Sequence, residues 1–569
     1  MPDRLFIADN LREIGRLLQV KGENPFKGRA YERAARALEQ LDKDLGELVE
    51  KRRLTEIPGV GAALAGVIDE IFRTGQSAML LELRAALPPG VAELDRVPGL
   101  SLKKIAALHA ALGVASVADL KAAAEKGRIR TVKGFGAKAE AKILAAIEKL
   151  EQSEPRALLD QATVEAERLL RHVRSSSETA AADVAGALRR RKESVGQIEI
   201  VAAGARAESI VDHFLRYPAL IDSSERTEDG CRARLVRGLP VALHVAPEAD
   251  YPAALHYFTG SKKHYARLAA LARKKGVALG PSEWRAGGKK IRPKDEKEIY
   301  RRLGMQSIAP ELREDEGEIE AALAGDLPEL VVQGDIRGLT HCHTVYSDGK
   351  NTVEEMALAA DALGMKYLTI TDHSPSAFYA GGVEPERLKK QWEEIDRAQE
   401  KVKVRLLKGT ESDILPDGSL DYPDEILARF DIVIASIHQR NKMDADQMTR
   451  RLVSAMKSPR FKIWGHPLGR LIHSRPPLEC HMEEVLDAVA AAGAAIEVNG
   501  DPRRLDLEPR WIRAARGRGI KFIVSTDAHS TAALGHLRYG VDMARRGWLE
   551  RGEVLNTLDT EDFLKAVHP

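Results

Sequence analysis

Apolar positions in residues 1–150 recur at helical spacing, with few β-branched runs, and predict a set of amphipathic helices. Three turns of one kind break this pattern: "IPGVGAALAGVI" from Ile57, "VPGLSLKKIAAL" from Val97 and "VKGFGAKAEAKIL" from Val132. Each pairs an apolar residue with a tight glycine turn and then starts a helix. Residues 155–315 mix helices with short predicted strands, "QIEIVAAG", "RARLVRG" and "PVALHVA", followed by a Gly/Lys-rich stretch, "RAGGKKIRPKDEKE". Residues 316–334 read as a charged, partly helical linker. From 335 to 569 the rhythm becomes strand–helix alternation, with apolar strands "DIRGLTHCH", "KYLTIT", "VRLLKG", "DIVIAS", "FKIWG", "AAIEV" and "KFIVS". Seven such units predict a parallel barrel or an open α/β sheet.

No stretch is apolar for long enough to span a bilayer, and the first helix carries charges where a signal peptide would be apolar. Cys231, Cys342 and Cys480 are far apart and form no CxxC pair, which predicts a reduced, cytosolic protein. Charge divides the chain. Lys and Arg outnumber Asp and Glu by 54 to 44 through residue 315, and fall short by 33 to 41 beyond it. A basic first part suits a polyanion. An acidic second part suits bound cations.

The three glycine turns aim backbone N–H groups and a helix N-terminus outward, where they can receive a phosphate. They resemble the helix-hairpin-helix element of DNA repair proteins, which grips the sugar-phosphate backbone. On that resemblance Gly59, Gly61, Gly99, Lys103, Lys104, Gly134, Gly136 and Lys138 are the expected DNA contacts. The second copy departs from the pattern, with Ser101 at the second glycine position. Lys27 and Arg29 are a further candidate 5′-phosphate site.

Ten of the sixteen histidines lie after residue 315, and most of those fall at predicted strand ends. The ends carry His341, His343 and Asp348, then Asp372 and His373, then Glu411 and Asp413, then His438, His466, and finally Asp527 and His529. Catalytic groups of α/β barrels come from that face. So many imidazoles and carboxylates exceed the needs of one zinc and imply two or three divalent metals, a set suited to phosphoryl hydrolysis. His473, His481, His536 and His568 fall outside the pattern.

Residues 335–569 resemble the polymerase and histidinol phosphatase (PHP) domain, a distorted seven-unit β/α barrel with a trinuclear metal site. The resemblance implies that His341, His343, Glu411 and Asp527 serve one metal and Glu411, His438 and His466 a second. Asp348, His373 and His529 would serve the third. Zinc, manganese or iron is expected, with manganese for activity, and Glu411, His438 and Asp527 are the expected catalytic groups. Leu339 stands where that family has an aspartate two residues before the first histidine.

The whole order, with three hairpins, a middle domain and this tail, resembles bacterial family X DNA polymerases. That implies an α-helical domain over 1–150, an α+β nucleotidyltransferase-like palm and fingers over 155–315, and the barrel over 335–569. It also implies that Arg189 or Arg190 in "GALRRRKESVG" meets nucleotide phosphates, with Gly260 and Ser261 of "YFTGS" beside the sugar. The polymerase site of that family needs three aspartates. Here the turn reads Gly196-Gln197-Ile198-Glu199, and the third position is Ala242. Ala187 and Tyr265 stand where serine and asparagine are usual, and Val67 stands where animal relatives carry a lyase lysine. One carboxylate cannot hold two Mg²⁺ ions, so no competent magnesium pair is expected. The expected activity is metal-dependent hydrolysis at DNA 3′ ends, as a 3′–5′ exonuclease or end-cleaning phosphoesterase acting on gapped, nicked or 3′-ended DNA. Arg503 or Arg504 is a candidate for neutralising developing charge. A gap-filling polymerase and a non-catalytic DNA-binding scaffold remain open.

Overall fold

The computed structural model describes residues 4–21, 25–39, 41, 45–86, 94, 97, 99–152, 155–235, 238–280 and 284–567. It divides into two compact units, one formed mainly by residues 1–155 and the other by most of 156–569. No single helix among the described residues is long and apolar enough to cross a membrane.

The first unit is helical. Arg4–Val20 packs along Pro25–Glu39, burying Ile7, Leu11, Ile14, Tyr31, Ala34 and Leu38 at their seam. The glycine turns introduce Ala62–Thr74, Leu102–Leu112 and Ala137–Gln152. Gly59, Gly99 and Gly134 hold φ of 80°, 82° and 94°, a region that side chains disfavour. Gly61 differs. Its φ is −84°, and a Cβ there would meet no atom within 4 Å. No described residue requires glycine at that position, which leaves room for a close outside approach. Lys103, Lys104 and Lys138 are exposed, and Lys104 Nζ donates to the Gly99 carbonyl of its own turn at 3.0 Å. Lys27 and Arg29 are exposed on the second helix, and Val67 packs against the core of this unit.

The second unit begins with a five-stranded sheet, ordered Ala181–Ala185, Ile198–Ala203, Pro240–Ala246, Gly230–Leu235, Leu220–Thr227. The first pair is antiparallel and the next is parallel. Two of these strands escape the hydrophobic pattern, because "AADVA" is built of small residues and "LIDSSERT" is largely polar. Next comes a small helical subdomain with a three-stranded antiparallel sheet; the Gly/Lys-rich stretch supplies the hairpin Trp284–Ala286 with Lys289–Ile291. Residues 316–334, expected as a linker, contribute the helix Glu318–Ala324 to this core, where Ile319 and Ala322 pack with Leu268, Trp284 and Tyr300. Buried Glu318 accepts from His264 Nδ1 at 2.6 Å.

Seven parallel strands follow in sequential order: β1 Gly338–Leu339, β2 Tyr367–Ile370, β3 Arg405–Asp413, β4 Ile432–Ser436, β5 Ile463–Trp464, β6 Ala495–Asn499 and β7 Phe522–Ser525. Two devices join β1 to β7. Near the C-terminal strand ends, Cys342 and Ala528 form a parallel bridge, and His343 N donates to the Ala528 carbonyl at 2.8 Å. Lower down, fully buried Asn556 stands in for the absent ladder. Its Nδ2 donates to the carbonyls of Gly338 (2.9 Å) and Val524 (2.8 Å), and its Oδ1 accepts from Val524 N (3.0 Å). The helix Thr560–Val567 plugs the N-terminal ends of the strands, its Phe563 ring stacked on Tyr367 at 4.7 Å. That apolar plug leaves only the opposite end for chemistry.

Candidate metal centre

The C-terminal strand ends of the barrel and the loops that follow them bring the nine expected ligands into one cluster, in which His341, His343, His373, Glu411, His466 and Asp527 are buried, His438 and His529 half-buried and Asp348 exposed. Extended backbone lets residues two apart share a face, so β3 turns Glu411 and Asp413 inward together. His466 and Asp527 sit at positive φ, 24° and 49°, in the sparsely populated region where functional side chains are often held. Glu411 is the hub. Its Oε1 lies 2.7 Å from His466 Nε2 and 3.3 Å from His438 Nε2, and its Oε2 lies 2.9 Å from His373 Nδ1 and 3.5 Å from His341 Nε2. Asp527 Oδ1 is 3.2 Å from His343 Nε2 and 3.6 Å from His341 Nε2. Asp348 Oδ1 is 3.2 Å from His529 Nε2 and 3.6 Å from His373 Nε2.

Three donor sets converge closely enough to hold a metal: His341, His343 and Asp527; His373, Glu411 and His438; and His343, Asp348, His373 and His529. Both Glu411 oxygens, both His466 nitrogens, His341 Nε2, His343 Nδ1 and His373 Nδ1 are buried without a hydrogen bond. Buried polar atoms are normally satisfied, so a set of converging orphans fits divalent cations. Nitrogen and carboxylate donors suit zinc, manganese or iron.

Burial opposes charge on every group here, but the mixture of signs settles the balance. For Glu411, burial is overridden by His438, His373, His341 and His466, which hold the carboxyl well below its usual range. For His438, burial is overridden by Glu411 and Asp413, which push the imidazole up to about 10. For His529, Asp348 and Asp527 overcome burial and push it up to about 9. His343 goes the other way, down to about 4, because burial is joined by His529 and His373.

Outer carboxylates orient the ring donors. Asp413 Oδ1 accepts from His438 Nδ1 at 2.9 Å, which turns Nε2 toward Glu411. Asp372 accepts from Thr344 N and Oγ1, Ser347 Oγ and Gln391 Nε2, fixing the loop that carries Asp348. Glu497 is the group that sequence reasoning missed. Its Oε1 accepts from His341 Nδ1 and Ser525 Oγ, both at 2.5 Å, and its Oε2 accepts from His466 N at 2.5 Å. It orients His341, while Leu339 is a fully buried apolar residue of β1. The available signal was a lone acid inside the apolar strand "AAIEV". Of the two candidate arginines, Arg504 reaches the cluster, with Nε 3.1 Å from Asp527 Oδ2, whereas Arg503 is mostly exposed and pairs with Asp501.

Four stretches match known families: a helix-hairpin-helix domain over residues 3–77, a SAM-like helix-hairpin-helix tandem over 91–149, a DNA polymerase beta thumb over 254–314 and a PHP domain over 340–500. The DNA polymerase/3′-5′ exonuclease PolX of Bacillus subtilis (strain 168) is 35% identical over 564 residues, covering 98% of each chain. The chain belongs to the PolX family. A probable phosphatase of Thermoanaerobacter sp. (strain X514) is 29% identical over 237 residues, 38% of this chain and 89% of its own. One of Vibrio parahaemolyticus is 29% identical over 244 residues, 40% of this chain and 91% of its own. The domains that PolX shares with DNA-binding families make DNA its partner.

In this PolX chain the polymerase-like turn is wired to itself. Gln197 Nε2 donates to Glu199 Oε1 at 2.8 Å, and His244 Nε2 donates to Glu199 Oε2 at 2.7 Å. The His244 ring stacks on Phe258 at 3.7 Å. Ala242 is paired with Glu199 in the parallel register and is fully buried. Gly186 has φ 59°, and a Cβ there would come within 2.6 Å of Glu199 Cγ, so the Glu199 side chain packs directly over glycine. The arginines are engaged as well. Arg189 pairs through both terminal nitrogens with Glu296 and donates to Thr259 Oγ1 at 2.7 Å. Arg190 donates to Glu314 Oε1 at 2.9 Å and to the Thr259 carbonyl at 2.6 Å. Gly260 caps the helix Tyr251–Thr259, and Ser261 caps Lys262–Lys274 by accepting from His264 N. Within the same unit, Glu193 accepts from Arg546 Nη1 at 2.5 Å and lies 3.6 Å from Arg470 Nη2, which ties this loop to the barrel.

Proposed function

We propose that this chain hydrolyses phosphodiester bonds at DNA 3′ ends, as a 3′–5′ exonuclease or end-cleaning phosphoesterase, in the barrel formed by residues 335–569. The observation that carries the reading is the convergence of five imidazoles on the two oxygens of buried Glu411. Divalent ions held by such donors supply Lewis acidity and lower the pKa of water. The protein's own part is positional. Asp413 and Glu497 fix the tautomers of His438 and His341 so that each Nε2 faces inward. Glu411 stays ionised under four imidazoles, and the Arg504 guanidinium beside Asp527 can meet charge that develops on a phosphoryl oxygen.

Residues 1–150 are proposed to hold gapped or nicked DNA through the outward glycine turns. Residues 155–315 are proposed to retain the polymerase-like fold without its chemistry. Supporting this, Glu199 is already bonded to Gln197 and His244, and Ala242 offers no oxygen beside it. Oligonucleotides labelled at the 5′ or 3′ end, incubated with Mn²⁺ or Zn²⁺, test the polarity and the activity together. Release of single nucleotides from the 3′ end that disappears in Glu411→Gln is expected. Undiminished release by that variant would refute the assignment. Adding primer, template and nucleotides to the same reactions tests gap filling, and efficient extension would reverse the reading of the middle region.

A further inference from the structure

Two largely exposed aromatic side chains stand beside the metal centre. Phe378 is 78% exposed and Tyr379 57% exposed. Their rings lie 5.9 Å apart at 79°, and the Tyr379 ring is 6.3 Å from the ring of His438. Exposed aromatic surface of this size is costly in water unless something covers it.

The segment that carries them is braced rather than loose. Ser374 N donates to the Glu411 carbonyl at 3.0 Å, and Val383 N donates to the His373 carbonyl at 2.8 Å, so both ends hang on ligand-bearing strands. Ser376 Oγ donates to Asp413 Oδ2 at 3.0 Å, the same carboxylate that orients His438, and Gln439 Nε2 donates to the Ser376 carbonyl at 3.2 Å. The rings sit on a single 3-10 turn, Phe378–Ala380, closed by Gly381 at φ 69°. At Gly382 a Cβ would come within 2.1 Å of the Ser374 carbonyl oxygen, so the return of the segment is packed as tightly as backbone allows.

We propose that Phe378 and Tyr379, whose rings stand nearly at right angles, form a corner platform for the base of the 3′-terminal nucleotide, one ring stacking on the base and the other meeting its edge, while its phosphodiester lies over Glu411. The inference rests on the phosphoesterase reading above. The favoured occupant is a nucleobase because the platform adjoins the ligand shell, with the Tyr379 ring 6.3 Å from that of His438. Arg475 and Arg504 are both near enough to Tyr379 to act on it electrostatically. Every base has a π-face, so stacking serves an enzyme that must remove any terminal nucleotide. A stiff aromatic ledge also spends little conformational entropy on binding.

The test compares single-stranded oligonucleotides that end 3′ in an ordinary nucleotide or in a tetrahydrofuran abasic residue, cleaved by the full-length protein with Mn²⁺. Wild type is expected to favour the base-bearing end by about tenfold in kcat/KM, mainly through KM, the low end of what one stacked base contributes. In Phe378→Ala/Tyr379→Ala the preference should collapse toward unity, and Phe378→Trp should keep it. A preference that survives the double substitution, or its absence from wild type, overturns the platform. Wild type that releases nothing from either oligonucleotide refutes the phosphoesterase reading and the platform with it. An independent readout uses chelator-treated protein and an oligonucleotide ending in 2-aminopurine. Wild type should quench its fluorescence and the double variant should not; equal quenching by both would count against the platform.

Discussion

Asn556→Ala should loosen the barrel along a single seam. The Asn556 side chain makes three hydrogen bonds, to the Gly338 carbonyl and to the Val524 N–H and carbonyl, where β1 and β7 lack a ladder. Truncation leaves all three groups buried and unpaired. At roughly 1–3 kcal/mol for each orphan, allowing for partial relaxation, the cost is about 3–6 kcal/mol. That is a large share of the ~5–15 kcal/mol that holds a domain together. Asn556→Asp is the sharper probe. It keeps the shape and the acceptor for Val524 N, but it sets a carboxylate against two carbonyl oxygens. Its cost should equal or exceed that of alanine. Urea unfolding followed by tryptophan fluorescence gives the global figure, and amide exchange at Val524 gives the local one. The effect should reach the metal centre, because His341 and His343 follow β1 while Asp527 and His529 follow β7. Chelator competition should therefore show weaker metal binding in both variants. An Asn556→Asp protein with wild-type stability and wild-type exchange at Val524 would refute the reasoning, for the side chain would then only fill space.

Other substitutions test other parts of the molecule. Glu497→Gln should lower metal affinity by about 10- to 100-fold, as loss of an orienting carboxylate does, with the fold intact by circular dichroism. Glu296 contributes to stability through Arg313 and Arg189, which override burial and hold it down to about 2 from 4.5. The unfolded state takes up the proton first as pH falls, so this stabilisation, about 3 kcal/mol, is present above pH 4.5 and lost between there and about pH 2. Urea midpoints for wild type and Glu296→Gln should accordingly differ at pH 7 and converge as the pH falls below 4. Gln197→Asp alone should not produce a polymerase in a primer-extension assay, because Ala242 still lacks a carboxylate; extension by that single variant would disprove the account of the middle region.

The sequence carried much of the barrel and little of its wiring. All seven barrel strands could be read because each is an apolar run, six of them ended by a histidine or an acid, and Glu411 stood out among those by its place near the C-terminal end of β3. Glu497 did not, since one acid in an apolar strand resembles ordinary alternation until the fold sets it against His341. The partners of Arg189 and Arg190 lay out of sight for a similar reason. Glu296 is 107 residues from the first and Glu314 is 124 from the second, and no local pattern links them. The plug formed by Phe563 was equally hidden, because a short terminal amphipathic helix does not announce which surface it will cover.

The arginine run has a consequence for how the protein should behave in salt. A cation that already faces a carboxylate displaces few condensed ions when a nucleic acid arrives. Arg189, Arg190 and the loop around Glu193 should then add almost nothing to the slope of log affinity against log salt concentration, a slope that counts neutralised phosphates. The stretch with the most conspicuous positive charge in the sequence would be nearly silent in a counterion-release measurement.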